Sequence, residues 1–163
     1  MGRKEAIKNI NKEVSPIGEL LVSDPENNIL NESIDKNKLN FTIDSLKEVD
    51  NYLDKVRKKK KYLNEQDIKK IILRCGTYLG EVIRRLKNRR FIWIPYNTAS
   101  KISKGRLPLG EDLTTCFILY DKKNNLFWFP LAKSYKFIES GRADNLWSFA
   151  VVCLDFKEIK KRR

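Results

Sequence analysis

"NEQDIKKIILRCGTYLGEVIRRLKNRRFIW", residues 64–93, decides the fold. Asn64 stands where a helix N-cap belongs, and Glu65 and Asp67 follow in the first turn, facing the positive end of the helix dipole. Ile68, Ile71, Ile72, Cys75, Leu79, Val82, Ile83 and Leu86 then recur at three- and four-residue intervals. That spacing gathers them on one apolar face of a long helix. After Arg90 the period changes, and Phe91–Pro95, rich in aromatic and β-branched side chains, reads as a strand.

Within the helix, Gly76 and Gly80 sit together at one flank of the apolar face. Each costs about 1 kcal/mol against alanine in a helix interior. Close approach of another backbone offsets that cost, with the preceding helix or a strand as the expected neighbour. Glu81 falls on the opposite side of the same wheel, near Arg74, Arg84 and Arg85. The expectation is an exposed carboxylate paired with Arg85 one turn on, or available to recognise a basic partner surface.

Working outward toward the N-terminus, Thr42 is a second N-cap, and Ile43, Leu46, Val49, Leu53 and Val56 mark an amphipathic helix to about residue 59. It ends in "RKKKK" (57–61), basic residues that suit a helix C-terminus. The short connection to Asn64 predicts an antiparallel helical hairpin. Toward the C-terminus, "LTTCFILY" (113–120) and "LFWFP" (126–130) read as strands around the turn "DKKNN" (121–125). "LAKSYKFIESG" (131–141) reads as a short helix closed by Gly141. In the last segment Asp144 suits a helix cap, whereas Trp147, Phe149, Val151 and Cys153 alternate as a strand would; we take it as helix.

The expected fold is therefore α+β: a helical hairpin packed on a small antiparallel sheet, with one or two C-terminal helices. Residues 41–163 form the single domain, with a basic C-terminal tail. Residues 1–40, polar and rich in turn formers, read as a flexible or loosely attached N-terminal arm.

The chain has 163 residues, 41% of them hydrophobic, enough to bury one core. It contains no apolar run long enough to span a bilayer, and its first residues lack the apolar stretch of a secretory signal. Three scattered cysteines without a CxxC pair encode neither a disulfide framework nor a zinc knuckle, and fit reduced, buried thiols in a cytosol. There is no histidine, which excludes His-based triads and His general bases. Cys75 follows Arg74 but falls in the middle of the apolar face with no base beside it. "GRLPLG" (105–110) has phosphate-loop glycine spacing, but Glu111 and Asp112 stand where Lys and Ser or Thr are required. Glu111, Asp112 and Asp121 have no cation-binding spacing. No catalytic set, cofactor motif or metal-ligand set is expected.

The net charge is +13, and it is concentrated: residues 55–90 carry 14 basic and 3 acidic side chains. Lys58, Lys59, Lys60, Lys61, Arg84, Arg85, Arg89 and Arg90 are the candidate contacts to a partner or to phosphate. Because these groups sit at the ends of two antiparallel helices, a continuous groove does not follow. Glu81, Trp93, Tyr96 and Trp128 are the candidate recognition residues.

Taken together, Gly76, Tyr78, Leu79, Gly80, Glu81, Val82, Ile83 and Trp93, followed by Pro130, Lys136 and Gly141, resemble a group of small bacterial proteins. These share an LGxYLGEVI core followed by tryptophan, a strand pair and a lysine-containing short helix. Cys75 replaces the leucine of that pattern. The resemblance covers about residues 65–155 and implies the helix-plus-sheet fold without implying a chemistry. The functional expectation is a non-catalytic protein-interaction module of a bacterial cytosol, of the immunity, adaptor or inhibitor kind. The alternative is sequence-independent nucleic-acid binding through residues 55–90.

Overall fold

The structure is a computed structural model that describes the backbone of residues 7–161 and side chains as far as Asp155. It is an α+β fold with a three-stranded antiparallel sheet and C-terminal helices. The elements run α1 (Asn11–Ser23), α2 (Leu46–Lys59), α3 (Glu65–Leu86), β1 (Phe91–Pro95), α4 (Tyr96–Ser103), β2 (Phe117–Asp121), β3 (Leu126–Trp128), α5 (Pro130–Ser140) and α6 (Leu146–Lys161).

Helix α3 is the axis of the molecule. Its start is fixed by a reciprocal capping box: Asp67 N–H donates to Asn64 Oδ1 at 2.9 Å, and Asn64 N–H donates to Asp67 Oδ2 at 3.2 Å. Its apolar stripe is buried as expected from Ile71 to Ile83, with Cys75, Leu79, Val82 and Ile83 all at zero exposure, whereas Leu86 at its end is exposed. The opposite face is buried too, and helices α1 and α5 cover most of α3 between them.

The expectation of a loosely attached N-terminal arm is corrected over the described residues. Val14, Gly18 and Leu21 of α1 are buried, and the backbone of α1 at Gly18 lies against the backbone of α3 at Thr77, where a Cβ would approach to 3.0 Å. Between α1 and α2 the chain wraps through single 3₁₀ turns, with Ile34 and Leu39 in the core. Arg74 pins the end of α1. Its guanidinium donates to the carbonyls of Leu20 and Asp24, to Asn28 Oδ1, and to Asp24 Oδ2 at 2.7 Å.

The strand order is β1-β2-β3, with Trp93 opposite Leu119 and Tyr120 opposite Phe127. Side chains alternate across it. Phe91, Trp93 and Leu119 enter the main helical core, whereas Ile92, Ile94, Ile118 and Tyr120 form a second core under α4 with Ala99. Helix α4 is not apparent in the sequence. β2 also starts later than expected, because Asp112 caps a 3₁₀ turn over residues 113–115 before Phe117. Pro130 opens α5 at its first turn, where a missing N–H costs nothing, rather than ending β3.

The last segment is helical. Leu146, Ala150 and Cys153 recur at helical spacing and are fully buried. Asp50 of α2 accepts hydrogen bonds from Leu146 N–H at 2.7 Å and Trp147 N–H at 3.3 Å, capping α6 from a distance. The side chains of the basic C-terminal tail lie outside the described residues.

The two glycines of α3 face different neighbours. A Cβ on Gly80 would overlap the ring of Trp93 on β1, and one on Gly76 would meet the Cα of Leu131 on α5 at 2.6 Å. The strand is thus the expected neighbour for Gly80. For Gly76 the neighbour is α5, not α2.

Candidate interaction surface

The basic residues of 55–90 do not form one surface. Lys58 to Lys61 lie at the C-terminal end of α2 and in the turn after it, just before α3 begins, and Arg84 to Arg90 lie at the far end of α3. Twenty-two residues of helix separate them, about 33 Å at 1.5 Å per residue. Several of these charges are also matched within the protein. Lys58 pairs with Asp54 at 2.8 Å, Lys60 with Glu139, and Lys59 with Glu32 at 3.9 Å, while Lys61 lies over the ring of Tyr62. These are exposed pairs of little energetic weight, yet they lower the local positive field.

At the far end of α3, Arg84 and Arg85 are engaged with Glu81, and Arg85 also reaches Glu19 of α1 at 2.6 Å. Arg90 is structural. It pairs with Asp121 at 2.7 Å and donates to the carbonyls of Cys153 and Leu154, tying β1, β2 and α6 together. Arg89 is exposed, and no described residue pairs with it.

Glu81 and Trp93 are not recognition residues. Both have zero exposure, and Trp93 Nε1–H donates to Glu81 Oε1 at 2.8 Å. The solvent-facing position expected for Glu81 is overturned because α1 covers that side of α3. Arg74, Thr77 and Glu81 form a polar seam there, and a polar stripe reads as solvent-facing unless its partner helix is known. Burial pushes the Glu81 carboxyl up, but hydrogen bonds from Arg84, Trp93 and Arg85 outweigh it and hold the group below the usual range. Tyr96 is half-buried, and its hydroxyl donates to the carbonyl of Leu109 at 3.1 Å, fastening the loop after α4.

Trp128, the remaining candidate, belongs to a groove of about 240 Å³ at the outer edge of the sheet. Leu109, Phe127, Trp128, Phe129, Phe149 and Lys136 line it. The Phe149 ring stands edge-on to Trp128, with centroids 5.7 Å apart. Lys133 is held by Asp144 at 2.7 Å, whereas Lys136 is exposed and unpaired among the described residues. Lys122 and Lys123, exposed in the turn before β3, are likewise unpaired there.

The two edges of the sheet are treated differently. Lys122 N–H donates to the Arg90 carbonyl, so the alternation of an antiparallel ladder turns the N–H and C=O of Trp93 outward from β1, and those of Phe127 outward from β3. At β1 both groups are occupied: Trp93 N–H donates to Asn11 Oδ1 at 2.8 Å, and its carbonyl accepts from Ile10 N–H at 3.5 Å. At β3 no described residue covers Phe127 in this way. The open edge is also apolar: Leu126, Phe127, Trp128 and Phe129 follow one another, and all four remain partly exposed.

Of these groove residues, the sequence pointed only to Trp128. Its other signal was the run Leu126–Phe129 itself, four large apolar side chains in succession on a strand too short to bury them all.

Elsewhere the carboxylates do not converge. Asp112 caps its own turn, and Asp121 is buried and bound by Arg90 and Asn124. Among the described residues no group of three metal-ligating side chains occurs, and no described helix is long and apolar enough to cross a membrane. Cys75 and Cys153 are buried, and burial drives both thiols well above their ordinary value. Neither is poised as a nucleophile. No protein-family model, curated protein or solved structure matches the chain.

Proposed function

We propose that the protein is a non-catalytic interaction module that holds an acidic stretch of another protein against the aromatic groove beside β3. The observation that carries this reading is the apolar edge of β3, uncovered among the described residues and flanked by Lys122, Lys123 and Lys136, which no described residue pairs. The groove's contiguous, partly exposed aromatic surface suits protein contact, and aromatic anchors supply most of the affinity at such sites. The net charge of +13 favours acidic partners by steering their approach. Adaptors, inhibitors and immunity-type proteins act this way, by occupying a partner in the cytosol rather than by converting a substrate.

Peptide display against the folded protein tests this. Acidic, aromatic-rich sequences are expected from the wild type and should disappear with Phe149→Ala. Sequences indifferent to Phe149→Ala would end the groove reading. Tight binding of polynucleotides, weakening log-linearly with salt, would instead favour phosphate contact through the 55–90 cations.

A further inference from the structure

We infer that the partner segment binds in extended form and pairs with β3 through its backbone, becoming a fourth strand of the sheet. This rests on the groove being the binding surface. The asymmetry of the sheet carries it: at β1 the outward N–H and C=O of Trp93 are taken by Asn11 and Ile10, whereas those of Phe127 at β3 face outward with no described partner. Unpaired strand edges are usually shielded by charge, proline or a covering element, because they template pairing with other chains. Leu126–Trp128 carries no charged residue or proline, and the lysines flank it instead of standing on it. An extended segment along β3 presents alternate side chains to the two sides of the edge. One set meets Trp128 and Phe149, and the other meets Leu109, Phe127 and Phe129. Carboxylates at its ends reach Lys122 and Lys123 at one end of the strand and Lys136 at the other. The segment is therefore short, extended and acidic at its ends, with apolar residues between.

The probes are synthetic peptides of glutamate-flanked alternating valine and phenylalanine, each N-methylated at one backbone amide, titrated against the full chain. N-methylation of the one amide that faces Phe127 should weaken binding about tenfold, the loss expected for one hydrogen bond, while the neighbouring positions tolerate it. Equal tolerance at every position, with binding still lost in Phe149→Ala, would overturn strand addition and leave the groove intact. Binding that ignores both changes, or no binding at all, would overturn the groove and the pairing together. Lysine-flanked peptides that bind as well as the glutamate-flanked ones would overturn the acidic assignment. A stable dimer of the free protein, sedimenting as such without peptide, would make a second copy the occupant and overturn the inference.

Discussion

The indole nitrogen of Trp93 donates to Glu81 Oε1 at 2.8 Å, while the same ring occupies the space a side chain on Gly80 would need. One aromatic residue on β1 thus explains two adjacent residues of α3. The glycine makes room for the ring, and the carboxylate satisfies its only donor.

Gly80→Ala should destabilise the protein. The added methyl overpacks the Trp93 site at about 1–3 kcal/mol. That exceeds the roughly 1 kcal/mol gained in helix propensity. Gly76→Ala should cost at least as much, because Leu131 meets it with backbone as well as side chain. Urea denaturation of both variants measures the loss.

Glu81→Gln should be more damaging than a surface change. Breaking a buried ion pair typically costs about 3–5 kcal/mol. The lower end is expected, because the Arg84 and Arg85 side chains keep 18% and 34% of their exposure. Loss of the indole's charged acceptor should also shift the fluorescence of Trp93, a change a merely looser core would not localise.

The same carboxylates set the acid limb of stability. Glu81 and Asp121 are both held below their ordinary values of 4.5 and 3.8 despite burial, by hydrogen bonds from Arg84 and from Arg90 respectively. Their contribution is present above those values and is lost as pH falls through the folded-state pKa. Asp50 runs the other way: burial raises it, its contribution is full below 3.8, and it declines as pH rises through the folded value. Stability measured from about pH 6 downward should therefore fall toward acid, less steeply in Glu81→Gln.

Arg74→Ala should loosen residues 18–30 before anything else. It removes the donor to the Leu20 and Asp24 carbonyls and to Asn28, leaving buried acceptors unsatisfied at about 1–3 kcal/mol. Hydrogen exchange should rise in α1 while α5 stays protected.

Thiol reagents should find Cys75 and Cys153 slow in the native state, since both are buried. Cys116, half-exposed but with its thiol raised by partial burial, should react first and still slowly.

What the sequence discloses follows the range of the forces involved. α3 is legible because its cap and its apolar stripe are local, and β2 and β3 because a turn of Lys and Asn separates two apolar runs. α1 is not, because its partner on α3 is the seam of Arg74, Thr77 and Glu81, polar residues that gain their neighbours only in the folded chain. In hindsight Val14, Gly18 and Leu21 do recur at helical spacing, a signal masked by Pro16 and the surrounding polar residues. α6 is ambiguous in part for the same reason: Asn145 caps it locally, but Asp50, 96 residues before Leu146, also holds its first backbone N–H groups. The groove is the hardest to foresee, since Leu109, Trp128 and Phe149 come from three separate segments.

The sealing of β1 has a consequence for stoichiometry. A sheet open at both edges can pass pairing from one molecule to the next and grow without limit. Here Asn11 and Ile10 take the outward backbone groups of Trp93, so growth from β1 has nowhere to start. A strand added at Phe127, as proposed, completes the sheet on the side that no described residue covers, and the stoichiometry expected from it is one partner per molecule.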